Sequence, residues 1–123
     1  MNGQMKKRKL GNTDIELYAI GFGAAPIGDL FEQLDEQTCY KVLENAYKSK
    51  INIYDTSPFY GNGLSEHRLG NFLKTIDENS YYLSTKVGRY FTPEKKENID
   101  RGAWAGGLNF KLNIDYSYDG VMV

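Results

Sequence analysis

Short β-branched runs alternate with amphipathic helical stretches between Leu17 and Gly88, and no other feature limits the architecture of this chain as strongly. The run "LYAIGFGAAPIG" is apolar and ends in glycines and Pro26. In "LDEQTCYKVLENAYKSK", Cys39, Val42, Leu43, Ala46 and Tyr47 recur at the spacing of one helix face, behind Asp35 as N-cap. "INIYDTS" reads as a second strand, and because strand side chains alternate, Asp55 shares a face with Ile51 and Ile53 at the strand's C-terminal end. "LSEHRLGNFLKTI" predicts a second helix, with Ser65 as N-cap, Leu64 and Leu69 at staple spacing, and Leu69, Phe72, Leu73 and Ile76 on one face. "YYLSTKVG" is a third strand that ends with Lys86. Strand, helix, strand, helix, strand predicts βαβ units around a parallel sheet. Asp55 and Lys86 then lie at strand C-termini, where α/β folds carry their chemistry.

The flanks are less regular. "KRKLGNTDIEL" sets a Gly-Asn-Thr-Asp turn between two short alternating runs and predicts a hairpin. After Gly88 the periodicity lapses into "RYFTPEKKENIDRGAWAGGLNFKLNIDYSYDG", which is too long for an ordinary connector and is expected to be an active-site loop. "YDGVMV" resembles a helix start with Asp119 as N-cap. With no repeat and no low-complexity stretch, residues 1–123 are read as one domain.

Charge and composition exclude several functions. A formal net charge of -1 without a basic stripe argues against nucleic acid. The N-terminal basic cluster has no apolar segment behind it, and nowhere do about 18 apolar residues run together, so a cytoplasmic location without membrane attachment is expected. Cys39 is the only cysteine and has no ligand-spaced neighbours, so it reads as a small buried hydrophobe and no metal site is expected. His67 is the only histidine and stands in the first turn of the second helix, where facing solvent is the default. Neither "GFGAAP" nor "GNGLSE" completes a dinucleotide fingerprint, since the third glycine is missing from both.

Asp55, Tyr60 and Lys86 form a different kind of set. A phenol is a poor acid at neutral pH, but an adjacent ammonium favours the phenolate, and a carboxylate can hold that ammonium in place. Taken singly, each has a bland reading: a solvated strand-end acid, a loop tyrosine, a surface lysine. Lys86 as a Schiff-base amine of another barrel enzyme is disfavoured, because Asp55 and Tyr60 would then lack roles.

Five segments, "RKLGNTDIEL", "IGFGAAPIGDLF", "IYDTSPFYGNGLSEHRLG", "STKVG" and "DYSYDGVM", occur in register from about residue 8 to residue 122. Together they resemble the aldo-keto reductases, in particular the bacterial aldose 1-dehydrogenase branch that includes L-fucose and D-threo-aldose dehydrogenases. The resemblance implies a (β/α)8 barrel that binds NADP or NAD without a Rossmann domain and is floored by an N-terminal hairpin. It also implies hydride transfer to or from a sugar or small carbonyl compound. Tyr60 would exchange the proton with the substrate oxygen, Lys86 would lower the phenol's pKa, and Asp55 would pair with Lys86. Gly23, Ala24 and Ala25, together with Asp55, would line the nicotinamide end of the site. Lys50 departs from the pattern, standing where related sequences carry glycine after a helix.

A (β/α)8 barrel takes about 250 residues and eight strands. Only three are legible here, and the family's carbonyl-orienting histidine belongs after a fourth. The expectation is therefore the N-terminal portion of such a barrel, a truncated chain inactive alone, with an open edge favouring self-association. The alternative is a non-catalytic module that uses that edge to bind itself or a partner.

Overall fold

The computed structural model describes residues 5–122. The N-terminal hairpin pairs β1 (Lys7–Lys9) with β2 (Glu16–Tyr18) in antiparallel register. Its turn is closed by the Leu10 N–H donating to the Ile15 carbonyl at 2.9 Å and by the Thr13 hydroxyl donating to the Leu10 carbonyl at 2.6 Å. Asn52 fastens this hairpin to the sheet. Its buried amide donates to the Glu16 carbonyl at 2.9 Å and accepts from the Tyr18 N–H at 3.0 Å, so the side chain substitutes for a strand's peptide group.

The central sheet is parallel and three-stranded, in the order β3 (Phe22–Gly23), β4 (Ile53–Asp55), β5 (Tyr82–Ser84). Helix α1 (Glu36–Lys48) connects the first two strands and α2 (Leu64–Leu73) connects the second pair. Their inner faces bury Cys39, Leu43, Ala46, Leu69, Phe72 and Leu73 against Ala24, Ile27 and Tyr54. Val42, expected on that face, is exposed. Tyr54 is fully buried, and desolvation pushes its phenol up to about 12 while its hydroxyl donates to the Ile51 carbonyl at 3.1 Å.

Helix α1 begins as its sequence dictates, with the Asp35 carboxylate accepting the Thr38 N–H at 2.8 Å. It ends in a left-handed cap. Lys50 takes φ 68° while its N–H donates to the Tyr47 carbonyl at 3.1 Å and the Ile51 N–H donates to the Ala46 carbonyl at 3.2 Å. A lysine thus carries the conformation that glycine adopts at no steric cost.

Between β3 and α1 the chain is clamped by Arg68 of α2. Its buried guanidinium donates to the Ile27 carbonyl at 3.0 Å, the Asp29 carboxylate at 2.6 Å, the Leu34 carbonyl at 2.8 Å and the Glu36 carboxylate at 2.7 Å.

Three further expectations are corrected. The stretch after Gly88 is not irregular throughout: β6 (Arg89–Pro93) and β7 (Phe110–Ile114) form an antiparallel pair in a separate two-stranded sheet. Residues 94–109 fall between the two strands, so the alternation of each is too short and too distant from its mate to announce a hairpin. Ser65 does not cap α2. It lies inside the helix, fully buried, and the cap position belongs to Gly63 at φ 96°. Helix α3 (Tyr118–Met122) takes Asp119 into its first turn, while the Ser117 hydroxyl accepts the Gly120 N–H at 3.1 Å in the capping role. Val123, the last residue of "YDGVMV", lies outside the described residues.

Candidate active site

A concavity of about 590 Å³ is lined by Lys7, Tyr18, Tyr47 and Asn52 at the hairpin end of the sheet. None of the sequence-derived site residues lines it, and the chemistry gathers at the opposite end, where β3, β4 and β5 finish.

Asp55 is the last residue of β4, and its register partners are Gly23 of β3 and Ser84 of β5. One carboxylate oxygen accepts the Ser84 hydroxyl at 3.0 Å and the other accepts the Lys86 ammonium at 3.0 Å. Lys86 stands two residues beyond the end of β5, whereas the sequence suggested that it closes the strand. The same ammonium donates to the Thr56 carbonyl at 2.8 Å and to the Tyr60 phenol oxygen at 3.2 Å, so its three protons all have partners. Nζ also lies 4.7 Å from the centroid of the Tyr60 ring. Burial pulls the Lys86 pKa down, but the hydrogen bonds and charge of Asp55 and Tyr60 outweigh it and hold the ammonium above its ordinary value. With side-chain exposures of 47% for Lys86 and 44% for Asp55, the pair remains accessible to a ligand.

Tyr60 is delivered by a tight turn. The Tyr60 N–H donates to the Ser57 carbonyl at 3.1 Å, the Gly63 N–H to Pro58 at 2.9 Å, and the Tyr60 carbonyl accepts the Ser65 N–H at 3.1 Å. Backbone from the β3–α1 connection packs directly on this turn. A Cβ on Gly28 would stand 2.7 Å from the Tyr60 carbonyl carbon, and one on Gly61, which has φ 69°, would fall against the Gly28 carbonyl, so both positions require glycine.

Of the residues read as lining the nicotinamide end, Gly23 is exposed beside Asp55 with open space where a Cβ would stand. Ala24 is buried, its N–H donating to the Asp55 carbonyl at 2.8 Å, and Ala25 is half-buried. His67 is exposed on α2 and pairs with Asn71 at 3.4 Å, outside the cluster.

The sequence did not reveal the support beneath the cluster. The Ser65 hydroxyl donates to the Ala24 carbonyl at 2.8 Å and shares a hydrogen bond with Thr56 at 2.9 Å, tying the ends of β3 and β4 to α2. Thr56 then presents its carbonyl to Lys86. A serine at the start of the helix's buried face was the one available signal, and a capping role explained it locally. Among the described residues, no group of three or more His, Cys, Asp or Glu is arranged to hold a metal ion, and no helix is long and apolar enough to cross a membrane.

Comparison with known proteins gives a consistent family. Residues 19–112 match the profile of the Aldo/keto reductase family. The chain is 40% identical to pyridoxal 4-dehydrogenase of Microbacterium luteolum, over 95% of its own length and 36% of that protein's. It is 48% identical to D-threo-aldose 1-dehydrogenase of a Pseudomonas species, over 61% of its length and 23% of that protein's. An aldo-keto reductase from Bacillus halodurans, solved in its holo form, superposes with a TM-score of 0.63 at 34% identity, covering 72% of this chain and 28% of that one. The chain thus spans about a third or less of each relative. Its hairpin and three parallel strands correspond to the N-terminal part of a (β/α)8 barrel, and the strands form an open sheet.

Proposed function

The chain belongs to the aldo/keto reductase family, and we propose that its Asp55–Tyr60–Lys86 cluster is the proton-transfer part of a nicotinamide-dependent oxidoreductase acting on a sugar or a small carbonyl compound. The observation that carries this reading is the single ammonium of Lys86, which reaches the Asp55 carboxylate at 3.0 Å and the Tyr60 phenol oxygen at 3.2 Å. An ammonium beside a phenol oxygen offsets the negative charge left there as its proton passes to the substrate. In carbonyl reduction, Tyr60 protonates the substrate oxygen as the carbonyl carbon is reduced. In oxidation, the phenolate takes the hydroxyl proton. Asp55 fixes the ammonium, and Ser84 and Thr56 fix Asp55 and Lys86 in turn.

NAD or NADP would supply or accept the hydride. Gly23, with no side chain and nothing within 4 Å of where one would stand, leaves room for a flat ring against the strand ends, and Asp55 lies beside it. Ala24 would contribute only through its buried backbone, and Ala25 would border the same edge.

These 123 residues hold three members of the family's four-residue set, and we expect them not to turn over substrate alone. His67 points elsewhere, and misplacement of reacting groups by 1 Å can cost about a hundredfold. Leu83 at 52% exposure on β5, the edge strand, and Val87 at 62% beyond its end favour self-association of the isolated chain.

The test is made in the complete barrel. Tyr60→Phe should lower carbonyl reduction by about 10²- to 10⁴-fold with cofactor affinity nearly unchanged. A loss below about tenfold would remove Tyr60 from the role. Lys86→Met should also lower the rate and move the alkaline limb of the pH profile upward, and an unmoved limb would count against tuning by lysine.

A further inference from the structure

Residues 101–108, between β6 and β7, form a strap that the proposed chemistry leaves without a role. Its attachments are mostly to backbone. The Phe31 N–H donates to the Ala103 carbonyl at 2.7 Å, the Ala105 N–H to the Asp29 carbonyl at 2.9 Å, and the Leu108 N–H to the Gly61 carbonyl at 2.9 Å. Leu30 and Trp104 form an antiparallel bridge between the first two bonds. Two of these anchors are on the β3–α1 connection, where Asp29 is gripped by Arg68, and the third is on the Tyr60 turn itself, where Gly61 follows Tyr60 directly. Gly106 passes so close to Asp29 that a Cβ there would fall on the carboxylate, so this close seating of the strap requires glycine.

The strap buries one large side chain. Trp104 is 6% exposed and is the chain's single tryptophan. Its ring meets Tyr60 with centroids 5.6 Å apart at 41°, and meets Phe59 edge-on at 5.4 Å. On Phe59 in turn lies the Arg89 guanidinium, 4.4 Å from the ring centroid.

We propose that Trp104 is a positioning residue for the Tyr60 phenol: the strap holds the indole against the phenol ring, so that the hydroxyl stays directed at Lys86. This rests on the reading of Tyr60 as the proton donor. The physical need is plain. A phenol on a tight turn, held at its tip by one 3.2 Å hydrogen bond, can swing about its side-chain bonds unless its ring is packed. The 5.6 Å centroid separation lies within the range over which aromatic rings attract each other.

The 123-residue chain suffices for the test, because no turnover is needed. A tyrosinate absorbs where indole emits and quenches a neighbour in contact. Trp104 emission should therefore fall as the pH is raised from neutral to strongly alkaline, and Tyr60→Phe, which keeps the ring, should remove the larger part of that fall. An identical profile in Tyr60→Phe would overturn the contact. Positioning is read separately from the tyrosinate absorbance of Tyr60, taken as the difference between each variant and the same variant carrying Tyr60→Phe. Trp104→Leu should move this titration toward the one seen in Lys86→Met, and Trp104→Phe should restore it. A titration unmoved by Trp104→Leu overturns the proposal. If Tyr60→Phe instead leaves carbonyl reduction intact in the complete barrel, the catalytic reading fails while these two spectroscopic results stand, so the failures are distinct.

Discussion

Replacing Arg68 by methionine should destabilise this chain by about 3–5 kcal/mol, because it breaks a buried ion pair by removing one partner. The figure follows from what the guanidinium leaves behind. Arg68 and Asp29 have side-chain exposures of 6% and 5%, and their 2.6 Å contact is out of reach of solvent. Without the arginine, the Asp29 carboxylate keeps only the Leu34 N–H at 3.1 Å, and the carbonyls of Ile27 and Leu34 lose their donors. Glu36 adds little, since at 73% exposure it is solvated whether or not Arg68 is present, and Glu36→Gln should cost less than about 1 kcal/mol. Urea unfolding followed by circular dichroism is the assay. With a slope of about 2 kcal/mol per molar for a domain of this size, the midpoint should fall by roughly 2 M. Asp29→Asn in the Arg68→Met background should recover a large part of the loss, because the uncompensated charge, rather than the missing attraction, is the main cost. A loss below about 1 kcal/mol, or no recovery in the double variant, would mean that the pair is solvated and that the clamp does not hold the β3–α1 connection.

Three further outcomes follow from local geometry. Lys50→Gly should raise stability by about 1 kcal/mol, since it relieves a left-handed residue at the end of α1 while leaving both cap hydrogen bonds in place, and the same urea melts would detect it. Gly28→Ala should destabilise by about 1–3 kcal/mol, because the added methyl meets Tyr60 backbone at 2.7 Å and neither segment can yield freely; in the complete barrel it should also lower the rate of carbonyl reduction. Hydrogen bonds from Thr38 hold the Asp35 carboxyl below its ordinary value of 3.8, so its contribution to α1 is fully present above that pH and disappears as the pH falls through the lower folded value. Acid titration of helicity should show this loss, and Asp35→Asn, which caps without ionising, should abolish that component of it.

What the sequence determined by itself was written in short-range spacing. The apolar face of α1, apart from Val42, and its Asp35 cap are decided by residues three to four positions apart, while the anomaly at Lys50 showed only against the glycine that related sequences carry there. Asp55 at a strand's C-terminal end followed from alternation, and the motifs around Tyr60 and Lys86 indicated their family. Tertiary structure decided which of these groups touch. Lys86 meets Asp55 across 31 residues of chain and Arg68 meets Asp29 across 39, distances over which no periodicity operates and only strand register and helix packing bring side chains together. Ser65 shows the difference within one residue. Its position before a helical run suggested a cap, but the left-handed Gly63 starts the helix earlier and turns the hydroxyl inward to Ala24 and Thr56. The β6–β7 ladder escaped notice for the same reason, since two five-residue strands acquire their meaning only when residues 94–109 fold back and carry Trp104 onto the phenol.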